Sequence, residues 1–167
     1  MTISRYTCEI AAITAISRFL EETAMGRNSK TTGFLKECMS DALLKLMKEK
    51  DYEEITINEI AALAGVNRST WFRNFDTKEE AITYKYVRLW EHWAEEHDIA
   101  ERNGFSLNNA QDFFDFNYSI RHIHRIVYSA KLQTALFDAF YLVMSPQFGA
   151  NAAECYQSRF FSYGLFG

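Results

Sequence analysis

Between Gly65 and Phe75 the chain carries Arg68, Ser69, Thr70, Arg73 and Asn74, and no acid. Guanidinium, hydroxyl and amide groups hydrogen-bond base edges and phosphate oxygens, so a short helix bearing them suits a DNA major groove. A second cluster is Arg121-His122-Ile123-His124-Arg125. Arg121, His124, Arg125 and Tyr128 share one helix face by i, i+3, i+4 and i+7 spacing. Turned inward, they would hold an anionic small molecule by charge-assisted hydrogen bonds. Turned outward, they form a solvated face or part of a subunit contact. The outward reading is favoured, because arginine is rarely buried without a partner. Asp112 and Asp115 are close enough in sequence to be such partners. Phe113, Asn117, Arg121, His124, Tyr128 and Phe140 together make the candidate effector pocket.

Other chemistry finds little support. There is no nucleophile-elbow G-x-S-x-G, no P-loop and no dinucleotide glycine pattern, so no enzyme and no cofactor is expected. Cys8, Cys38 and Cys155 are odd in number and far apart, which points to a reducing compartment and a cytoplasmic protein. His122 and His124 diverge around a helix, and His92 with Glu96 supplies only two ligands, so no metal site is expected. Cys38 falls beside Leu35 and Met39 on a helix, as a buried or half-buried thiol rather than a nucleophile.

Helices must position these groups. Residues 3–22 read as an amphipathic helix and residues 23–33 as a small, polar linker. Leu35, Met39, Ala42, Leu43, Leu46 and Met47 give one apolar face to a helix ending near Lys50. Thr56 and Glu59 are spaced as a capping box. The short helix they open has Ile57, Ile60, Ala61 and Ala64 inward, with Ala61, Ala62 and Ala64 as small packing residues. Gly65 stops it, where a sharp turn asks for positive φ. A third helix runs from about Arg68 to Asn74, capped by Asn67. Thr77 and Glu80 open a long helix to about Ile99, with Ile82, Tyr86, Leu89 and Trp93 as its apolar positions. Helices at about 107–129 and 132–144 follow, Ser145-Pro146 breaks the second, and Asn151 with Glu154 opens a last one. Strand-like alternation is absent, so the fold class is all-α.

Composition agrees. The 167 residues are 48% hydrophobic and 24% charged, with one proline and seven glycines. That is enough apolar material for a core and too few turn residues for a sandwich or barrel. The net charge of −4 excludes a chain that is basic all over. Residues 34–80 hold seven Lys/Arg against ten Asp/Glu, so any positive face must be local. From Thr23 to Lys36 there are three basic residues, Arg27, Lys30 and Lys36, and no acid: a candidate arm for phosphates or a minor groove. No apolar run is long enough to cross a bilayer, and no membrane partner is expected. Residues 1–80 hold 7 aromatics and residues 81–167 hold 19, so the two parts are built for different jobs.

Two short helices joined at a glycine are the sequence form of a helix-turn-helix. The stretch ITINEIAALAGVNRSTWFRNFDTKEEAI further resembles the N-terminal domain of the TetR/AcrR family of transcriptional regulators. Ile60-Ala61, Ala64-Gly65-Val66, Phe75 and Lys78-Glu79-Glu80 stand at that family's spacing, and residues 34–82 carry the resemblance. It implies DNA contacts from Thr56, Asn67, Arg68, Ser69, Thr70, Phe72, Arg73, Asn74 and Lys78. Thr56 and Lys78 would meet phosphates, and Arg68, Ser69 and Thr70 bases or nearby phosphates. Phe72 departs from the family, which often has a tyrosine there to reach phosphate. Trp71 is read as core.

The resemblance also implies a double-stranded DNA operator, a small-molecule effector, a homodimer and a repressor. The domains expected are 1–24, an N-terminal helical extension that natural translation from Met25 would omit; 25–80, the DNA-binding domain; and 81–167, a helical effector-binding and dimerisation domain. The apolar ending RFFSYGLFG makes that last domain look cut short. The rival readings are a helical dimerisation module that no longer binds DNA, and a small helical enzyme acting through the Arg121–Arg125 cluster.

Overall fold

The computed structural model describes residues 28–99 and 110–144, together with Tyr156, Phe160 and Gly164. The expected helix at 3–22, the side chain of Arg27, and the Ser145-Pro146 break lie outside the described residues. So do Asn151 and Glu154, although Tyr156, Phe160 and Gly164 are helical.

Every regular element among the described residues is helical. In chain order they are α1 (Asn28–Leu46), a 3-10 turn (Tyr52–Glu54), α2 (Ile57–Leu63), α3 (Arg68–Asn74), α4 (Lys78–Glu96), α5 (Ala110–Ser119), α6 (Arg121–Ser129) and α7 (Gln133–Met144). Helices α2 and α3 pack on each other and on α1, while α4 packs along α1 and α7. One buried cluster runs without interruption from Met39 and Leu43 of α1 to Phe140 and Val143 of α7.

The linker expected over 23–33 is corrected: α1 has already begun at Asn28. Nothing in the glycine and threonines of that stretch favours helix, but a tertiary contact reaches it. The Tyr84 hydroxyl donates to the Gly33 carbonyl oxygen at 3.2 Å. The single helix expected over 107–129 is also corrected. It breaks at Ile120, where φ −97° and ψ 15° leave the helical region. The Ser119 hydroxyl donates to the Phe116 carbonyl oxygen at 2.6 Å, a side-chain competitor for a helical acceptor.

Three helices end the same way. After α2, the Val66 N–H reaches the Ala61 carbonyl and the Gly65 N–H the Ala62 carbonyl, with Gly65 at φ 69°. After α4, Ile99 reaches Ala94 across Asp98 at φ 54°, and after α6, Leu132 reaches Val127 across Lys131 at φ 60°. Each is a Schellman closure with an apolar residue folded back against the last turn. Only the first was legible, because only there is the left-handed residue a glycine. Asp98 also ends α4 sooner than the expected Ile99.

Candidate nucleic-acid interface

The site begins with the start of α2. Thr56 Oγ1 accepts the Glu59 N–H at 3.3 Å, and Glu59 Oε2 accepts the Thr56 N–H at 2.9 Å, so the capping box is complete. Lys50 Nζ donates to Glu59 Oε1 at 2.6 Å. That bond first, then those from the Thr56 backbone and hydroxyl, hold the Glu59 carboxyl down at about 2. Ile60 and Ala61 point into the core. Ala62, expected inward, is exposed. Seven residues give α2 a narrow buried stripe, and Ala62 falls outside it.

Gly65 then turns the chain into α3. Asn67 occupies the N-cap position, but its side chain makes no capping bond; its backbone carbonyl accepts the Thr70 N–H at 2.8 Å. Trp71 and Phe75, 0% and 2% exposed and with ring centroids 5.2 Å apart, anchor one face of α3 in the core. The opposite face is therefore fixed outward. Asn67, Arg68, Ser69, Phe72 and Arg73 are exposed, and Thr70 and Asn74 are half-buried. Asn74 Nδ2 donates to the Thr70 carbonyl oxygen at 2.6 Å, which commits part of that amide to the helix. The Arg68 guanidinium lies 5.2 Å from the Phe72 ring centroid.

Three expected contacts have different surroundings from those the sequence implied. Thr56 is exposed, but its hydroxyl also donates to Glu59 Oε2 at 2.7 Å. A phosphate there would have to compete with a carboxylate. Lys78 Nζ donates to the carbonyl oxygens of Tyr52 and Ile55 at 2.8 and 3.0 Å and sits 4.0 Å from the Tyr52 ring centroid. Its charge stays at the start of α4, but its donors tie down the turn. Lys36 is corrected outright as part of a basic arm. It is 9% exposed, with Nζ 5.6 and 5.4 Å from the Phe75 and Tyr84 ring centroids. It shares the inward face of α1 with Met39, Ser40 and Leu43, one and two turns away, because the segment is helix and not arm. Lys30 is exposed.

Sequence reasoning missed the clamp on the 3-10 turn. The Tyr52 hydroxyl donates to Glu79 Oε1 at 2.6 Å, beside Lys78. Burial, then the Glu79 carboxylate, pushes the Tyr52 hydroxyl far above its ordinary range. Burial opposes ionisation of Glu79, but its hydrogen bonds, that from Tyr52 foremost, keep its carboxyl below the usual value. The partners are 27 residues apart, a separation at which periodicity says nothing.

Thr77 accepts the Glu80 N–H at 3.1 Å, while the Glu80 carboxylate accepts from Asp76 N–H at 2.8 Å instead of the cap residue. The second box is thus shifted by one residue. Along α4, Ala81, Ile82, Tyr86, Val87, Trp90 and Ala94 are buried. Leu89 and Trp93, expected on the apolar face with Ile82 and Tyr86, are only partly covered. Contacts with α1 on one side and α7 on another rotate and widen the buried arc.

The candidate effector residues divide. The Tyr86 hydroxyl donates to Asn117 Oδ1 at 2.6 Å, and its ring lies 5.0 Å from Phe140 and 6.0 Å, stacked, from His124. Phe113 is 5.0 Å from Phe140. Phe113, Asn117, His124 and Phe140 therefore converge around Tyr86. Burial first, then the neighbouring His122, lowers the His124 pKa, and its Nε2 has no partner among the described residues. Arg121 and Tyr128 are exposed and stay outside this group. Arg121 Nη1 donates to the Tyr118 carbonyl at 2.9 Å, with the guanidinium 4.5 Å from that ring. Arg125 is exposed as well, so the cluster has the outward disposition. Neither Asp112 nor Asp115 forms an ion pair with it; Asp115 accepts from Gln111 at 3.0 Å. His92 Nε2 and Glu96 Oε1 meet at 3.2 Å, and no third ligand joins them among the described residues.

An α2–glycine–α3 pair seated on α1, with polar and basic groups on the outer face of α3, is a helix-turn-helix. Residues 40–81 match the family model for bacterial regulatory proteins of the tetR family. Comparison with curated proteins and with solved structures gave no match. Over residues 40–81 the chain carries a helix-turn-helix domain similar to the DNA-binding domain of tetR-family regulators. No helix among the described residues is long and apolar enough to cross a membrane.

Proposed function

We propose that the chain is a ligand-responsive repressor that binds its operator as a homodimer in the cytoplasm. The observation that carries this reading is the outward face of α3, held by the buried Trp71 and Phe75. Asn67, Arg68, Ser69, Thr70, Phe72, Arg73 and Asn74 enter the major groove, and Thr56, Lys78 and Lys30 lie toward phosphates. Two such helices, one per protomer, would read half-sites about 34 Å apart. The group around Tyr86, with Phe113, Asn117, His124 and Phe140, is the effector-responsive region. It contacts α4, which packs along α1, the helix on which α3 is seated, so a shift there would change the spacing of the two recognition helices. The divisions 25–80 and 81–167 follow these two roles.

Substitution tests the assignment. Arg68→Ala should lower affinity and change sequence preference, whereas Lys78→Ala should weaken all duplexes alike and flatten the salt dependence. Unchanged operator binding by both variants would overturn it. Retained dimerisation without DNA affinity at low salt would favour the rival, a helical module that has lost DNA binding. The intramolecular bonds of Thr56 and Lys78 are the observation on that rival's side.

A further inference from the structure

Phe72 is the odd member of the outer face of α3. Its ring is 52% exposed although the core side of the helix is already filled by Trp71 and Phe75. A phenyl group has no hydrogen bond to offer a phosphate or a base edge. In the major groove the group that an apolar side chain recognises is the thymine methyl. Arg68 stands one turn earlier on the same face, with its guanidinium 5.2 Å from the Phe72 ring centroid. Cation–π attraction restrains an otherwise free side chain and presents its donors beside the ring. Guanine O6 and N7 are the acceptors that such a fork fits best. Successive bases on a strand are about 3.4 Å apart, so two groups this close reach the same or neighbouring base pairs.

We infer that Phe72 reads the methyl group of a thymine in each operator half-site while Arg68 reads a guanine on the adjacent base pair. This rests on the DNA-binding reading above and adds the specificity that the missing hydroxyl creates. The ring loses water on docking, and the methyl fills the space beside the guanidinium. A hydroxyl at the same position would keep water there and turn the contact toward the backbone.

The test begins with duplexes enriched by the full chain from a random library. Each thymine of the winning half-site is then replaced singly by deoxyuridine, which removes the methyl alone. At one position, next to a G·C pair, affinity should fall about fourfold, the effect of one lost buried methyl. In Phe72→Ala that position should tolerate deoxyuridine, and in Arg68→Ala the neighbouring G·C preference should flatten. An enriched duplex with no deoxyuridine-sensitive position, or one whose sensitivity persists in Phe72→Ala, would overturn the inference and leave DNA binding standing. Failure to enrich any duplex would overturn both.

Discussion

Replacing Gly65 by alanine should destabilise the chain without any steric clash. The residue sits at φ 69°, and a Cβ built on it meets nothing within 4 Å. The whole effect is therefore conformational. Left-handed backbone costs an L-residue about 1–2 kcal/mol. Alanine also narrows the unfolded ensemble, which offsets about 0.4–1 kcal/mol of that. The net loss is about 1 kcal/mol, or about 2–4 °C in Tm for a chain of this size. Urea and thermal denaturation followed by circular dichroism would measure it. Gly65→Asn should lose less, because asparagine enters the left-handed region more readily. A Gly65→Ala variant as stable as the parent would refute the reasoning, since the turn between α2 and α3 could not then be left-handed.

Other substitutions probe the same physics elsewhere. Lys131, at φ 60°, is the converse case: Lys131→Gly should stabilise by up to about 1 kcal/mol in the same denaturation assay. Thr56→Ala removes the cap of α2 and should cost about 1 kcal/mol, with the loss visible in the urea midpoint. Ser40 Oγ is buried without a partner among the described residues, so Ser40→Ala should be neutral or stabilising by up to about 1 kcal/mol; a clear loss would mean the hydroxyl is satisfied. His124 has a folded pKa below its unfolded value, so the unfolded chain binds the extra proton first. Its contribution is full above about pH 6.5 and declines as pH falls below it, and His124→Gln should remove that part of the stability-versus-pH curve.

The helix-turn-helix was legible because each of its signals is local. Thr56 with Glu59, Gly65, and Asn67 before Arg68 are read within one or two turns, and the apolar positions around them have helical spacing. What the sequence hid lies in contacts made at a distance. Lys36 looked like part of a basic arm until Tyr84 and Phe75, far along the chain, were seen to cover it. Lys78 looked free for phosphate until Tyr52 and Ile55 were found accepting its hydrogen bonds. Asp98 and Lys131 close helices in a conformation usually marked by glycine, so no residue type announced them. The outward turn of Arg121 and Arg125 was legible because arginine is rarely buried without a partner, but His124, spaced on their face, is half-buried against Tyr86. The convergence of Phe113, Asn117, His124 and Phe140 around Tyr86 joins four helices, and no spacing rule reaches across them.

The central claim is that this chain reads DNA through the outer face of α3. The direct measurement is fluorescence anisotropy of the full chain with duplex DNA from just upstream of its own gene. A scrambled duplex of equal length is the control, at about 150 mM salt, where non-specific phosphate binding is weakened. The account predicts clear preference for the native duplex, with that preference reduced in Arg68→Ala. Equal affinity for both duplexes across the enriched and upstream sequences, unchanged by Arg68→Ala, would contradict it.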